Sequence, residues 1–106
     1  QPDLTITMLD TNDYRTQGAL WTFGPAIAAI VQAGRLTGSV LVMGSPPADE
    51  QHPITQDVYQ AQARAVALAN GAGHLFTRPW TIPLTDGVHP TQSGYATIAR
   101  HLLGIL

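Results

Sequence analysis

Two kinds of hydrophobic block alternate along this chain. "LTITML" (4–9) and "SVLVMG" (39–44) are short runs of β-branched and apolar residues, each closed by a polar or proline-rich cluster, which predicts buried strands. "HLFT" (74–77) predicts a third, shorter strand. Between the first two, "GPAIAAIVQAGRL" places Pro25 near a helix start, repeats apolar residues at Ile27, Ile30 and Val31, and stops at Gly34. "ITQDVYQAQARAVALANGAG" predicts a second helix with a stripe of Val58, Ala61, Ala65, Leu68 and Ala69, ended by Asn70-Gly71. The closing segment "TQSGYATIARHLLGIL" predicts a third, with Tyr95, Ile98, Ala99, Leu102 and Leu106 on one side.

Strands alternating with helices of this length imply a parallel sheet in an α/β layer fold of order β-α-β-α-β-α. Right-handed crossovers place the first two helices on one face, leaving the other face to the last helix. Strand 4–9 then lies at an edge, an arrangement that invites pairing with further sheet. Side chains that act on ligands collect outside the carboxyl ends of such strands. The loops "DTNDYR", "GSPP" and "TRPWTIPLTDGVHP" all fall there.

A chain of 106 residues, 44% hydrophobic and 11% charged, is one domain over 1–106 with one modest core. The net charge of -2 and five scattered arginines leave no basic stripe for nucleic acid, and no apolar run approaches the ~18 residues of a membrane span. Cysteine is absent, which removes disulfide and thiol chemistry. The chain opens at Gln1 with neither an initiator Met nor a signal sequence, so a piece of a longer polypeptide is expected. No cellular location is assigned; a secreted or extracellular setting stays open.

The chemistry concentrates in "DGVHP" (86–90). Gly87 permits a tight turn in which Asp86 meets His89, and Pro90 holds His89 extended at the mouth of the last helix. A carboxylate on one ring nitrogen fixes the tautomer and frees the other to take a proton from a hydroxyl. The plainer alternative is a routine Asp-Gly turn with an incidental histidine. In "DTNDYR" the Asn12 amide can donate to an oxyanion, or simply complete an Asx-turn.

Together, "PDLTITMLDTNDYR" and "DGVHPTQSGYATIARHLL" make the chain resemble the carboxyl-terminal half of the SGNH (GDSL-type) hydrolases. That resemblance implies a three-layer flavodoxin-like fold and a serine esterase or lipase that needs no metal or cofactor. It implies triad roles for Asp86 and His89, an oxyanion-hole role for Asn12 and a structural role for Asp13. The family's motif opens with Gly where this chain has Asp10, and its nucleophilic serine lies in motifs this sequence does not contain. The expected partners are a small-molecule or glycan-linked ester and an N-terminal segment or second chain carrying that serine. Of the local serines, Ser39 starts a strand at the wrong end, Ser93 supports the first turn of the last helix, and only Ser45 leaves a strand at the active rim.

A non-catalytic carbohydrate-binding or assembly module on the same scaffold is the alternative. A flavodoxin-like ligand binder fits less well, since neither early loop has a phosphate cradle. His52, His74 and His101 match no metal spacing and read as surface residues. Trp21, Phe23 and Trp80 fall in loops after strands, where they either wall a cleft or plug the core edge. Arg15 and Arg78 are expected near the rim; surface pairing is the default, with Asp10, Asp13 or an acidic substrate group as the alternatives.

Overall fold

The computed structural model describes residues 3–105. Its elements are β1 (Leu4–Leu9), α1 (Thr11–Thr16), α2 (Leu20–Arg35), β2 (Ser39–Gly44), α3 (Gln56–Ala69), β3 (Gly73–Leu75) and α4 (Gln92–Ile105). The three strands are parallel in the order β1-β2-β3, with Leu4 to Leu9 in register with Ser39 to Gly44. None of the helices among the described residues is long and apolar enough to cross a membrane.

Alternation in β2 builds both sides of the sheet. Val40 and Val42 point into the main core with Tyr14, Phe23, Ile27, Val31, Tyr59, Ala63 and Ala67, which places α2 and α3 on that face. Met43 points the other way, into a smaller core with Ile82 and Ile98 beneath α4. The layers expected from handedness are therefore present. α4 packs near β2 and β3, whereas Leu4, Ile6 and Met8 on the same face of β1 stay 38–39% exposed. The first strand is thus a half-exposed edge rather than a buried strand, and its outer side is unpaired among the described residues.

Several elements differ from the sequence expectation, each for a packing reason. The "DTNDYR" stretch is a short helix because Tyr14 buries its ring in the main core. α2 begins at Leu20, a full turn before Pro25, which sits inside the helix on its exposed side. The extra turn carries Phe23, whose ring meets Tyr59 edge-on at 5.4 Å, and that burial outweighs the proline's helix penalty. The stripe foreseen on α3 is the wrong one: Val58, Ala61, Ala65, Leu68 and Ala69 are all exposed. The inward face holds Gln56, Tyr59, Gln60, Ala63 and Ala67. Two buried glutamines disguised a second helical periodicity as polar surface. On α4, Ile98 and Leu102 face inward while Tyr95 and Ala99 are exposed; Leu106 lies outside the described residues. β3 stops at Leu75 because Thr77 turns into a buried polar network.

His74 is not a surface residue. Both ring nitrogens are buried and have no hydrogen-bond partner among the described residues, and the ring meets Phe76 edge-on at 5.0 Å. Burial, aided by the nearby Arg64 cation, pushes its pKa down to about 4. The folded state therefore binds fewer protons than the unfolded chain between pH 6.5 and 4, so this group costs stability as pH falls through that window. His74→Phe is expected to remove ~2 kcal/mol of acid destabilisation, allowing for partial burial. The check is the difference in urea midpoint between variant and parent at pH 7 and at pH 4, which cancels the carboxylate contributions.

Candidate active site

At the carboxyl ends of the strands a cleft of about 290 Å³ opens between the exits of β1 and β2 and the start of α4. Asp10, Asn12, Ser45, His89 and Tyr95 all line it. The structure thus brings Asn12 and His89 to one cavity, with Asp86 behind the histidine.

The turn 86–89 is held from within and from both flanks. Asp86 Oδ1 accepts the backbone N–H of Val88 at 3.0 Å and of His89 at 2.6 Å, and Gly87 takes a φ of 80° that side chains resist. Thr85 N–H donates to the His89 carbonyl at 2.8 Å, and Asp49 N–H donates to the Gly87 carbonyl at 2.7 Å. Pro90 does not open the helix: it forms an antiparallel bridge with Leu84, and Thr91 caps α4 by accepting the Gly94 N–H at 3.0 Å. The remaining carboxylate oxygen, Asp86 Oδ2, meets His89 Nδ1 at 2.6 Å. Those backbone and ring hydrogen bonds from His89 hold the Asp86 carboxyl well below the usual carboxylate range. An ionised Asp86 at Nδ1 leaves Nε2 unprotonated in the neutral ring, the tautomer a general base requires, on a side chain that lines the cleft and is largely exposed. Among the described residues Nε2 makes no hydrogen bond.

Ser45, the serine at the rim, does not meet the imidazole. It is buried, and its hydroxyl accepts the Thr11 N–H at 3.3 Å. Ser39 and Ser93 are exposed, and the Ser93 hydroxyl shares a 2.9 Å hydrogen bond with Thr91. Ser45 thus serves the local backbone and Ser93 the α4 cap.

Asn12 is exposed on the second residue of α1, its carbonyl accepting the Thr16 hydroxyl at 2.8 Å. The residue before α1 is the unexpected one. Asp10 is 2% exposed and has a φ of 122°. Its Oδ2 accepts the Ser45 N–H at 3.0 Å and its Oδ1 accepts Gln56 Nε2 at 2.8 Å. Burial, only partly offset by these donors, pushes its pKa up to about 7.

A buried polar network continues from there. Gln56 Oε1 accepts the Ala48 N–H at 2.9 Å, and Gln60 Nε2 donates to the Thr77 hydroxyl at 2.9 Å and the Ser45 carbonyl at 3.3 Å. Gln60 Oε1 accepts the Thr77 N–H at 3.1 Å. Two glutamines of α3 thereby fix the exits of all three strands. Gly44 leaves room for this arrangement, since a Cβ there would lie 2.2 Å from the Gln60 amide. With the amide pinned, Gly44→Ala is expected to destabilise by ~2 kcal/mol, read as a lowered urea midpoint with unchanged slope.

Of the remaining candidates, the two arginines form surface ion pairs, as the default expectation had it. Arg15 forms a two-pronged pair with Glu50, 3.0 Å on each arm, and His52 Nε2 joins it at 3.1 Å. Arg78 pairs with Asp57 at 2.8 Å. Neither arginine reaches Asp10 or Asp13. His101 stacks on Trp80 at 4.1 Å, the planes 7° apart, so it is packed rather than free. Trp21 and Phe23 belong to α2, not to a loop; Phe23 is core and Trp21 is 82% exposed. The aromatic wall of the cleft is Tyr95, missed because helical periodicity assigned it inward. Among the described residues no group of His, Asp and Glu is disposed to hold a metal ion.

Neither a family model nor a curated protein matches the sequence. Solved structures do match its shape. The chain is similar to a protein from Lactobacillus plantarum, with a TM-score of 0.81 at 19% identity over 98% of this chain. It is also similar to a point mutant of an acetyl-xylooligosaccharide esterase from Geobacillus, with a TM-score of 0.72 at 22% identity over 97% of this chain. The chain spans 66% and 58% of the length of those two proteins. At these identities the likeness is one of fold: a small parallel sheet between helices, in the α/β arrangement of an esterase.

Proposed function

We propose that this chain carries the proton-relay part of an SGNH-type serine esterase acting on a carboxylic or O-acetyl ester. His89 is the base, Asp86 its orienting acid, and Asn12 a donor to the oxyanion. The serine comes from sequence outside this chain, on a strand added at the open edge of β1. The observation that carries the reading is the 2.6 Å contact between Asp86 and His89 Nδ1, beside a cleft that Asn12 shares. The half-exposed apolar side of β1 offers an edge to which further sheet could add, and the esterase neighbour is a longer chain, both of which agree with this reading.

The chemistry is two acyl transfers. The serine hydroxyl gives its proton to His89 Nε2 as its oxygen bonds to the ester carbonyl carbon. The carbonyl oxygen becomes an anion facing Asn12; its collapse expels the alcohol, which takes the proton from His89. Water then repeats the sequence on the acyl-serine, releasing the acid and restoring both residues.

The test joins the chain to the segment that precedes it in its gene and follows hydrolysis of 4-nitrophenyl acetate. Turnover is expected in the joined protein, and only background turnover in the chain alone, because a triad lacking its nucleophile loses several powers of ten. Normal turnover of the joined protein carrying His89→Ala would refute the assignment.

One observation favours a second reading, a non-catalytic module that binds acylated glycan: the carboxyl of Asp10 sits under the cleft, where an oxyanion would have to form. That reading requires glycan binding unaffected by Asp86→Ala and His89→Ala.

A further inference from the structure

Asp10 is the cleft residue whose backbone, burial and charge all run against ordinary preference. A φ of 122° is a region that a residue with a side chain enters at a cost of ~1–3 kcal/mol. In that conformation its carboxyl lies beneath the β2 exit, bonded to Ser45 N–H and Gln56 Nε2, while the residue still lines the cavity shared by Asn12 and His89. Its backbone carbonyl accepts the Tyr14 N–H at 2.8 Å, so it also anchors α1, which carries Asn12.

The surroundings supply dipoles but no counter-charge. From α3, Gln56 and Gln60 offer only amides, and Asp13 on α1 adds a like charge. Arg78 stops at Gln56 Oε1, 3.3 Å away, with that glutamine interposed before the carboxylate. His89 shares the cleft from the other side, engaged with Asp86. Among the described residues Asp10 has no ion-pair partner. A buried carboxyl group without a counter-charge keeps its proton to a higher pH than an exposed one.

We propose that Asp10 is a positioning residue that makes anion binding in this cleft conditional on its own protonation. Neutral, it holds Ser45 and α1 in place and leaves the cavity uncharged. Ionised, it keeps the same hydrogen bonds but opposes any anion lying beside Asn12. The inference rests on the ester-hydrolase reading, in which the tetrahedral oxyanion and the released carboxylate are such anions. With the carboxyl titrating at about 7, the change falls within the range where ester hydrolases are assayed.

The test uses acetate as probe and the chain as it stands, with His89→Ala as background so that the ionisable ring of His89, which shares the cleft with Asp10, is removed from the readout. Binding is followed by the NMR shift of the Asn12 side-chain amide. The dissociation constant is expected to rise about tenfold between pH 5.5 and pH 8, a charge effect of the size two groups within a few ångströms exert. Adding Asp10→Asn, which keeps the side-chain shape, or Asp10→Gly, which relieves the backbone, abolishes that rise and gives tighter binding at pH 8. Two unlike replacements guard against a folding defect in one of them. A rise that persists in both variants overturns the inference, as does an Asn12 amide that acetate fails to shift at any pH. No turnover is involved, so absent hydrolysis would count against the esterase reading alone, and absent acetate binding against this inference alone.

Discussion

His89→Ala, placed in the polypeptide that unites this chain with its serine, is expected to lower kcat by about three to four orders of magnitude with KM nearly unchanged. His89 is the cleft residue whose free ring nitrogen, set by Asp86, can take that proton and return it to the leaving alcohol. Asp10 lines the same cavity, but both its carboxylate oxygens are occupied by N–H donors. Asp86→Ala should cost less, about two to three orders, because the pair is open to solvent and water can solvate the imidazolium in place of the carboxylate. The side chains are 53% and 66% exposed, which is why the second loss is the smaller one. Steady-state kinetics on an acetyl ester reads both effects. Equal losses would place Asp86 deeper in the mechanism than this geometry supports, and no loss in either would remove the relay altogether.

The largest expected effect on stability comes from a residue with no part in the chemistry. Gln60→Leu should destabilise the fold by ~3 kcal/mol. The glutamine is wholly buried and links the Ser45 carbonyl to both the hydroxyl and the N–H of Thr77. Leucine fills similar space but leaves the Thr77 N–H unsatisfied in a dry site, which costs more than a lost surface hydrogen bond. The Thr77 hydroxyl keeps its bond to the Ser45 carbonyl, so the loss is not total. A urea titration measures it; a midpoint within experimental scatter of the parent would mean that water substitutes for the amide.

What could be read from the sequence follows from how local each signal is. β1 and β2 were legible to the residue, since six-residue apolar runs between turn clusters have few other solutions. The turn at 86–89 was legible too, because its partners are three residues apart and Gly87 announces the bend. Long-range polar pairing was not. Gln56 and Gln60 are buried only because Asp10, Ser45, Ala48 and Thr77 arrive from other elements to satisfy them. Patterning treats a glutamine as surface, so the α3 stripe was assigned to the wrong side and Asp10 looked like a loop residue. Tyr95 was hidden by the converse error: apolar spacing on α4 pointed it inward, where the fold leaves it at the cleft.

The relay turn bonds to itself before it bonds to anything else. Asp86 takes two amides and the ring from within a four-residue arc, and Thr85 closes that arc onto the His89 carbonyl. The dyad is therefore oriented mainly by bonds within its own hairpin, with one long-range tie from the Asp49 N–H to the Gly87 carbonyl. If the proposed hydrolase reading holds, substitutions far from residues 84–90 are expected to leave the Asp86–His89 geometry unchanged.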